Sequence, residues 1–66
     1  MFHFYIEAVS HAIRVNPTWR IGQAYFNVLD DMEPEIARRV QGSPLDPFYN
    51  DSRITAFLEQ VAVWMA

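Results

Sequence analysis

Four prolines and two glycines, spread through only 66 residues, constrain this chain more than any other feature. Proline breaks a helix interior and glycine ends one, so regular elements must fit between Pro17, Pro34, Gly42 and the Pro44/Pro47 pair. Before the first break, Phe2, Tyr5, Ile6, Val9, Ala12 and Ile13 recur at helical spacing, with His3, Glu7, Ser10, His11 and Arg14 on the other side. Asn16-Pro17 ends that helix and predicts the start of a second, with Asn16 as N-cap and Pro17 at the first helical position. The second runs to about Asp31 on a stripe of Ile21, Ala24, Tyr25, Val28, Leu29 and Met32. Gly22 inside it costs about 1 kcal/mol relative to alanine, which predicts close approach by another backbone or a ring. A short third helix follows from Pro34, carries Ile36, Ala37 and Val40, and stops at Gly42, with Arg38 and Arg39 near its negative end. Residues 43–51 read as an ordered loop, stiffened by Pro44 and Pro47 and anchored by Leu45, Phe48 and Tyr49. Asp51 or Ser52 is expected to cap a last helix with Ile54, Phe57, Leu58, Val61 and Met65 on one face and Trp64 beside it. The expectation is one all-α domain over residues 1–66: a small compact bundle of about four helices, three longer and one short, with an ordered Pro-rich loop before the last.

A chain this short buries only about 60% of the surface its unfolded form exposes. It contains no cysteine, so neither a disulfide nor a thiolate metal site can staple it. Efficient helix packing or self-association as a homodimer must serve instead. At 52% hydrophobic residues the composition supports a core. Eight acids face five bases, all arginine (Arg14, Arg20, Arg38, Arg39 and Arg53), for a formal net charge of −3. Without lysine the chain lacks the mobile positive charge that nonspecific phosphate binding uses, which argues against a direct nucleic-acid partner. An acidic surface favours a basic protein. No apolar run approaches the roughly 20 residues that span a bilayer, and the opening segment lacks the basic leader of a secretory signal, so a cytoplasmic protein is expected.

His3, Glu7 and His11 stand four apart on the first helix, a plausible zinc set by ligand type but without the spacing of the zincin motif. The plainer account is a solvated helix face with i,i+4 pairs, and no metal is expected. Arg20, Gln23 and Asn27 share one side of the second helix, while Asp46, Asp51 and Arg53 come from the loop and the last cap. One account pairs Arg20 with Asp46 or Asp51 and uses Gln23 or Asn27 to satisfy loop backbone. The other makes a recognition surface of the arginines and aromatics. Phe26 lies off the main stripe and is expected to pack under Phe48 and Tyr49. Asp46-Pro47-Phe48 matches a short endocytic-adaptor signal, but a proline-stiffened loop accounts for it better. With no lysine, no glycine-rich phosphate loop, no nucleophile elbow and no serine next to a base, the chain is expected to be neither an enzyme nor a cofactor binder.

The run Trp19-Arg20-x-Gly22-Gln23-Ala24-x-Phe26-Asn27-x-Leu29, followed by Gly42-x-x-Leu45-Asp46-Pro47-Phe48-Tyr49-x-Asp51-Ser52-Arg53-Ile54-x-x-Phe57, resembles small proteins of bacterial viruses and prophages. The likeness covers about residues 16 to 60; Thr55 and Gln60 depart from the pattern, where proline and tryptophan are common. It supplies no catalytic residues and implies a setting: a phage-encoded, anti-CRISPR-like inhibitor in the bacterial host cytoplasm. Such a protein docks on a host protein, for instance a nucleic-acid-guided effector. In that reading Asp30, Asp31, Glu33 and Glu35 supply charge complementarity, and Trp19, Arg20, Tyr49 and Arg53 are local anchors. The alternatives are a binder of a small nucleotide signal, gripped by arginines and aromatics, and a structural module that homodimerises.

Overall fold

The apolar stripes of the sequence become the faces that meet in the core. The computed structural model describes all 66 residues. It contains four helices, α1 (Phe2–Val15), α2 (Ile21–Met32), α3 (Pro34–Val40) and α4 (Ile54–Met65), the last entered through a 3-10 turn at Asp51–Arg53. The chain has no strand, and no helix is long and apolar enough to cross a membrane. Its radius of gyration, 10.6 Å, matches the roughly 11 Å of a compact chain of this length.

Helix α2 is central, packing against α1, α3 and the 3-10 turn, while α4 closes the bundle against α1 and α3. Each helix contributes to one core: Tyr5 and Val9 from α1, Phe26 and Leu29 from α2, Ala37 and Val40 from α3, Phe57 and Val61 from α4. Tyr25 links two of these helices through its ring, 6.4 Å from that of Tyr5 and 6.3 Å from that of Phe57 in an edge-on arrangement. The Arg39 guanidinium lies 5.5 Å from the centre of the Trp64 ring, tying α3 to α4 at their exposed edge. Pro34 takes the first turn of α3, and Gly42, at φ +75°, adopts the left-handed conformation just past its end.

Two expected helix boundaries move. Helix α2 starts at Ile21, not Pro17, because Asn16 is committed to the helix behind it. The Asn16 side-chain amide and backbone N–H both donate to the carbonyl of Ala12, closing α1, and its own carbonyl accepts from Trp19 N–H in a turn. Ile21, now the first residue of α2, is 46% exposed and leaves the stripe to which the sequence assigned it. Neither Asp51 nor Ser52 caps the last helix: α4 follows Arg53, which makes no side-chain cap bond, and the cap sits instead on the preceding 3-10 turn, where Asn50 Oδ1 accepts from Ser52 N–H at 3.0 Å.

Tyr5 is fully buried, and its hydroxyl donates to the carbonyl of Tyr25 at 2.6 Å, which satisfies the polar end of the ring inside the core. Burial, reinforced by the neighbouring Tyr25 phenol, pushes the Tyr5 pKa far up. The folded state therefore prefers the neutral phenol. Its contribution to stability is complete below about pH 10, the unfolded value, and is lost as the pH rises above it, at up to about 1.4 kcal/mol per pH unit. Chemical denaturation followed by circular dichroism should show this alkaline loss. In Tyr5→Phe the slope from this group should vanish, with stability at neutral pH lower by about 1 kcal/mol.

Candidate functional site

The site is the connection from α3 to α4, residues 41–53, docked on the first turn of α2. The loop holds its shape through its own polar side chains. Asp46 bridges it, accepting from Gly42 N–H through Oδ2 at 2.9 Å and from Phe48 N–H through Oδ1 at 3.0 Å. Ser43 Oγ accepts from Leu45 N–H at 3.1 Å, and Asn50 Oδ1 receives the Ser52 hydroxyl at 2.6 Å. Arg53 Nη1 reaches across to the carbonyls of Ser43 and Asp46 at 3.3 and 3.4 Å. Pro47 is buried at the centre.

Docking depends on the start of α2. An arginine at the N-cap has no acceptor with which to satisfy the first free N–H groups of its helix. Asp51, 29 residues downstream, supplies one: its Oδ1 accepts from Gly22 N–H at 2.8 Å. Gln23 Oε1 turns back to Arg20 N–H at 3.3 Å, the reciprocal half of a capping box. Gly22 also explains itself sterically. A Cβ there would fall on the carbonyl oxygen of Pro47 and within 2.8 Å of Asp51 Oδ1, so the close approach expected at this glycine is by loop backbone.

Arg20 completes the dock. Its Nε and Nη2 donate to the carbonyl of Phe48 at 3.3 and 3.0 Å, and its guanidinium sits 5.4 Å from the centre of the Tyr49 ring. The expected pairing of Arg20 with Asp46 or Asp51 does not form, because backbone N–H groups have taken both carboxylates. Likewise Gln23 serves its own helix end in place of the loop. Phe26 is 8% exposed and meets Phe48 edge-on at 5.9 Å, so it packs beneath the loop. Phe48 and Tyr49 stack edge-on at 4.7 Å. Tyr49 nevertheless remains 83% exposed.

Two open hollows flank Tyr49. One of about 260 Å³ is lined by Gly42, Ser43, Asp46, Tyr49, Asn50 and Arg53. The other, about 150 Å³, lies over Phe26, Gln41, Asp46, Phe48 and Tyr49. Of the anchors expected from sequence, Arg20, Tyr49 and Arg53 thus gather on one face, and Trp19 is half-buried in the turn before α2. The acids lie elsewhere. Asp30, Asp31 and Glu35 are exposed and Glu33 half-buried around the α2–α3 junction, about 15 Å along α2 from Arg20 at 1.5 Å per residue. None of these acids meets a basic side chain within the chain, where the one acid–base contact is His3 Nε2 with Glu7 Oε1 at 3.0 Å. His11 does not join that pair, and no three histidine or carboxylate side chains converge as a metal set. Gln41 and Asn50, which line the hollows, were not singled out in the sequence; only their place beside the prolines and Gly42 could have drawn attention to them.

No protein-family model, no curated protein and no solved structure matches this chain.

Gly22→Ala gains about 1 kcal/mol of helix propensity but drives a methyl into backbone that has no rotamer with which to yield. Thermal denaturation should show a net loss of up to about 2 kcal/mol. Asp51→Ala, which removes the distant cap and loosens the loop contacts that depend on it, should lose about 1–2 kcal/mol.

Proposed function

We propose that this chain is a protein-docking module without reaction chemistry of its own, and that Tyr49, presented by the 41–53 loop, is its leading contact. The observation that carries the proposal is the combination of exposure and restraint at this residue. A large ring 83% open to solvent contributes little to a core, yet it is held by Phe48 on one side and the Arg20 guanidinium on another. Its loop is fixed by Asp46, Ser43, Asn50 and Arg53. Rigid tyrosine and arginine side chains are the residues that carry protein interfaces, since little conformational freedom remains for a partner to remove. The hollows on either side of the ring suit partner side chains.

The unpaired acids support a second contact at the α2–α3 junction. Asp30 and Asp31 lie in the last turn of α2, where the helix dipole disfavours negative charge, and no basic side chain offsets them. Charges placed against the dipole suit a basic surface on another protein. Given the resemblance to phage-encoded proteins, we take that partner to be a bacterial host defence protein, such as a nucleic-acid-guided effector with a basic channel, which the chain would inhibit by occupying it. The nucleotide-binder reading ranks lower: the larger hollow, about 260 Å³, is below the roughly 300–1,000 Å³ of small-molecule sites.

Capture from bacterial lysate tests this reading when wild type is compared with Tyr49→Ala and with the double variant Asp30→Lys/Asp31→Lys. Tyr49→Ala should lose the captured protein at least about tenfold while its stability changes by less than about 1 kcal/mol. The charge reversal should weaken capture most at low salt. Capture indifferent to Tyr49→Ala would sink the proposal.

A further inference from the structure

Helix α1 carries a second stripe, apolar except for His11, that the core does not use. Tyr5, Val9 and Ala12 face inward. Phe4, Ala8, His11 and Val15 follow one another at intervals of four, three and four, the spacing of a coiled-coil seam, and Met1 precedes them by three. Phe4 is 67% exposed and Val15 58%, while Ala8 is half-buried and His11 exposed. At 100° per residue the stripe is centred about 100° around the helix from Tyr5, Val9 and Ala12, so a helix laid along it lies beside the bundle and not over its core. Glu7 and Arg14, seven residues apart and both exposed, run along the solvent edge of the stripe.

We propose that this stripe is a self-association surface, occupied by α1 of a second copy in antiparallel orientation. The charges select both partner and direction. In one antiparallel register Phe4 faces Val15 of the partner subunit and Ala8 faces His11 of the partner subunit. Glu7 then lies within reach of Arg14 of the partner subunit, and two-fold symmetry makes each contact twice. An antiparallel pairing shifted by one heptad sets Glu7 against its own copy. A parallel pairing sets Glu7 against Ala12 of the partner subunit, which leaves Glu7 only its contact with His3 of its own helix and leaves Arg14 unused. The helix is about 21 Å long, so its face alone buries less than the roughly 800 Å² per partner of a standard interface. The association is therefore reversible and concentration-dependent.

Sedimentation of the full chain over a range of concentrations tests the proposal, with circular dichroism confirming that each variant is folded. The wild-type mass should rise from one chain toward two. Phe4→Glu should remain a single chain throughout. Arg14→Glu should weaken association about tenfold by exchanging two attractive contacts for two repulsive ones, and the double reversal Glu7→Arg/Arg14→Glu should restore it. A wild type that stays monomeric overturns the proposal, even where Phe4→Glu abolishes binding of a foreign protein. So does a dimer indifferent to Phe4→Glu, or a charge exchange that fails to rescue.

Discussion

The hydrogen bond from Gly22 N–H to the Asp51 carboxylate holds the two halves of this fold in register. A helix start needs acceptors for its free N–H groups, and most helices find one at their own N-cap. Here the local residue is Arg20, which can only donate. The cap instead arrives from 29 residues away, bringing the loop with it. That contact requires the loop backbone to lie on α2 where a side chain would stand, and hence a glycine. Once the loop is seated, the Phe48 carbonyl falls within reach of Arg20 and the Phe48 ring covers Phe26. Removing the distant cap would therefore loosen an arginine clamp and an aromatic contact along with one hydrogen bond.

The core was legible in the sequence wherever periodicity alone decided the outcome. Tyr5, Val9 and Ala12, Ala37 and Val40, and Phe57 and Val61 all lie on the faces their spacing assigns. Gly22 was legible too, as an anomaly whose only compensation was close approach. What could not be read was competition among polar groups. Asn16-Pro17 has the local chemistry of a helix start, but Asn16 can also close the helix before it, and the sequence does not say which end it serves. Arg20 and the loop aspartates have opposite charges, yet backbone N–H groups are acceptor-hungry neighbours wherever a loop turns sharply. Asp46 and Asp51 both went to backbone, and Arg20 and Arg53 went to carbonyls.

This use of arginine bears on its abundance here. Lysine offers a point charge, whereas the guanidinium fork can span two acceptors in one plane. Arg53 bridges two loop carbonyls with one nitrogen, Arg20 grips one carbonyl with two, and Arg39 covers a ring. All are tasks of shape more than of charge. The carboxylates at the α2–α3 junction are released from any such task, leaving their charge free to act outward.

The loop itself argues against a purely structural purpose. Ordering backbone costs about 1–2 kcal/mol per residue, and residues 41–50 return little burial beyond Pro47 and the partly covered Ser43, Leu45, Asp46 and Phe48. Pro44 and Pro47 offset some of that loss by stiffening the unfolded chain. Helices in small bundles are commonly joined by about two to eight residues, and a short tie between α3 and α4 would fold at lower entropic cost. The longer path carries Tyr49 to the surface on a braced platform, with Arg20 and Arg53 beside it and a hollow on each side. Under the proposed docking role, a partner bound to this platform would offset the entropy that ordering the loop costs.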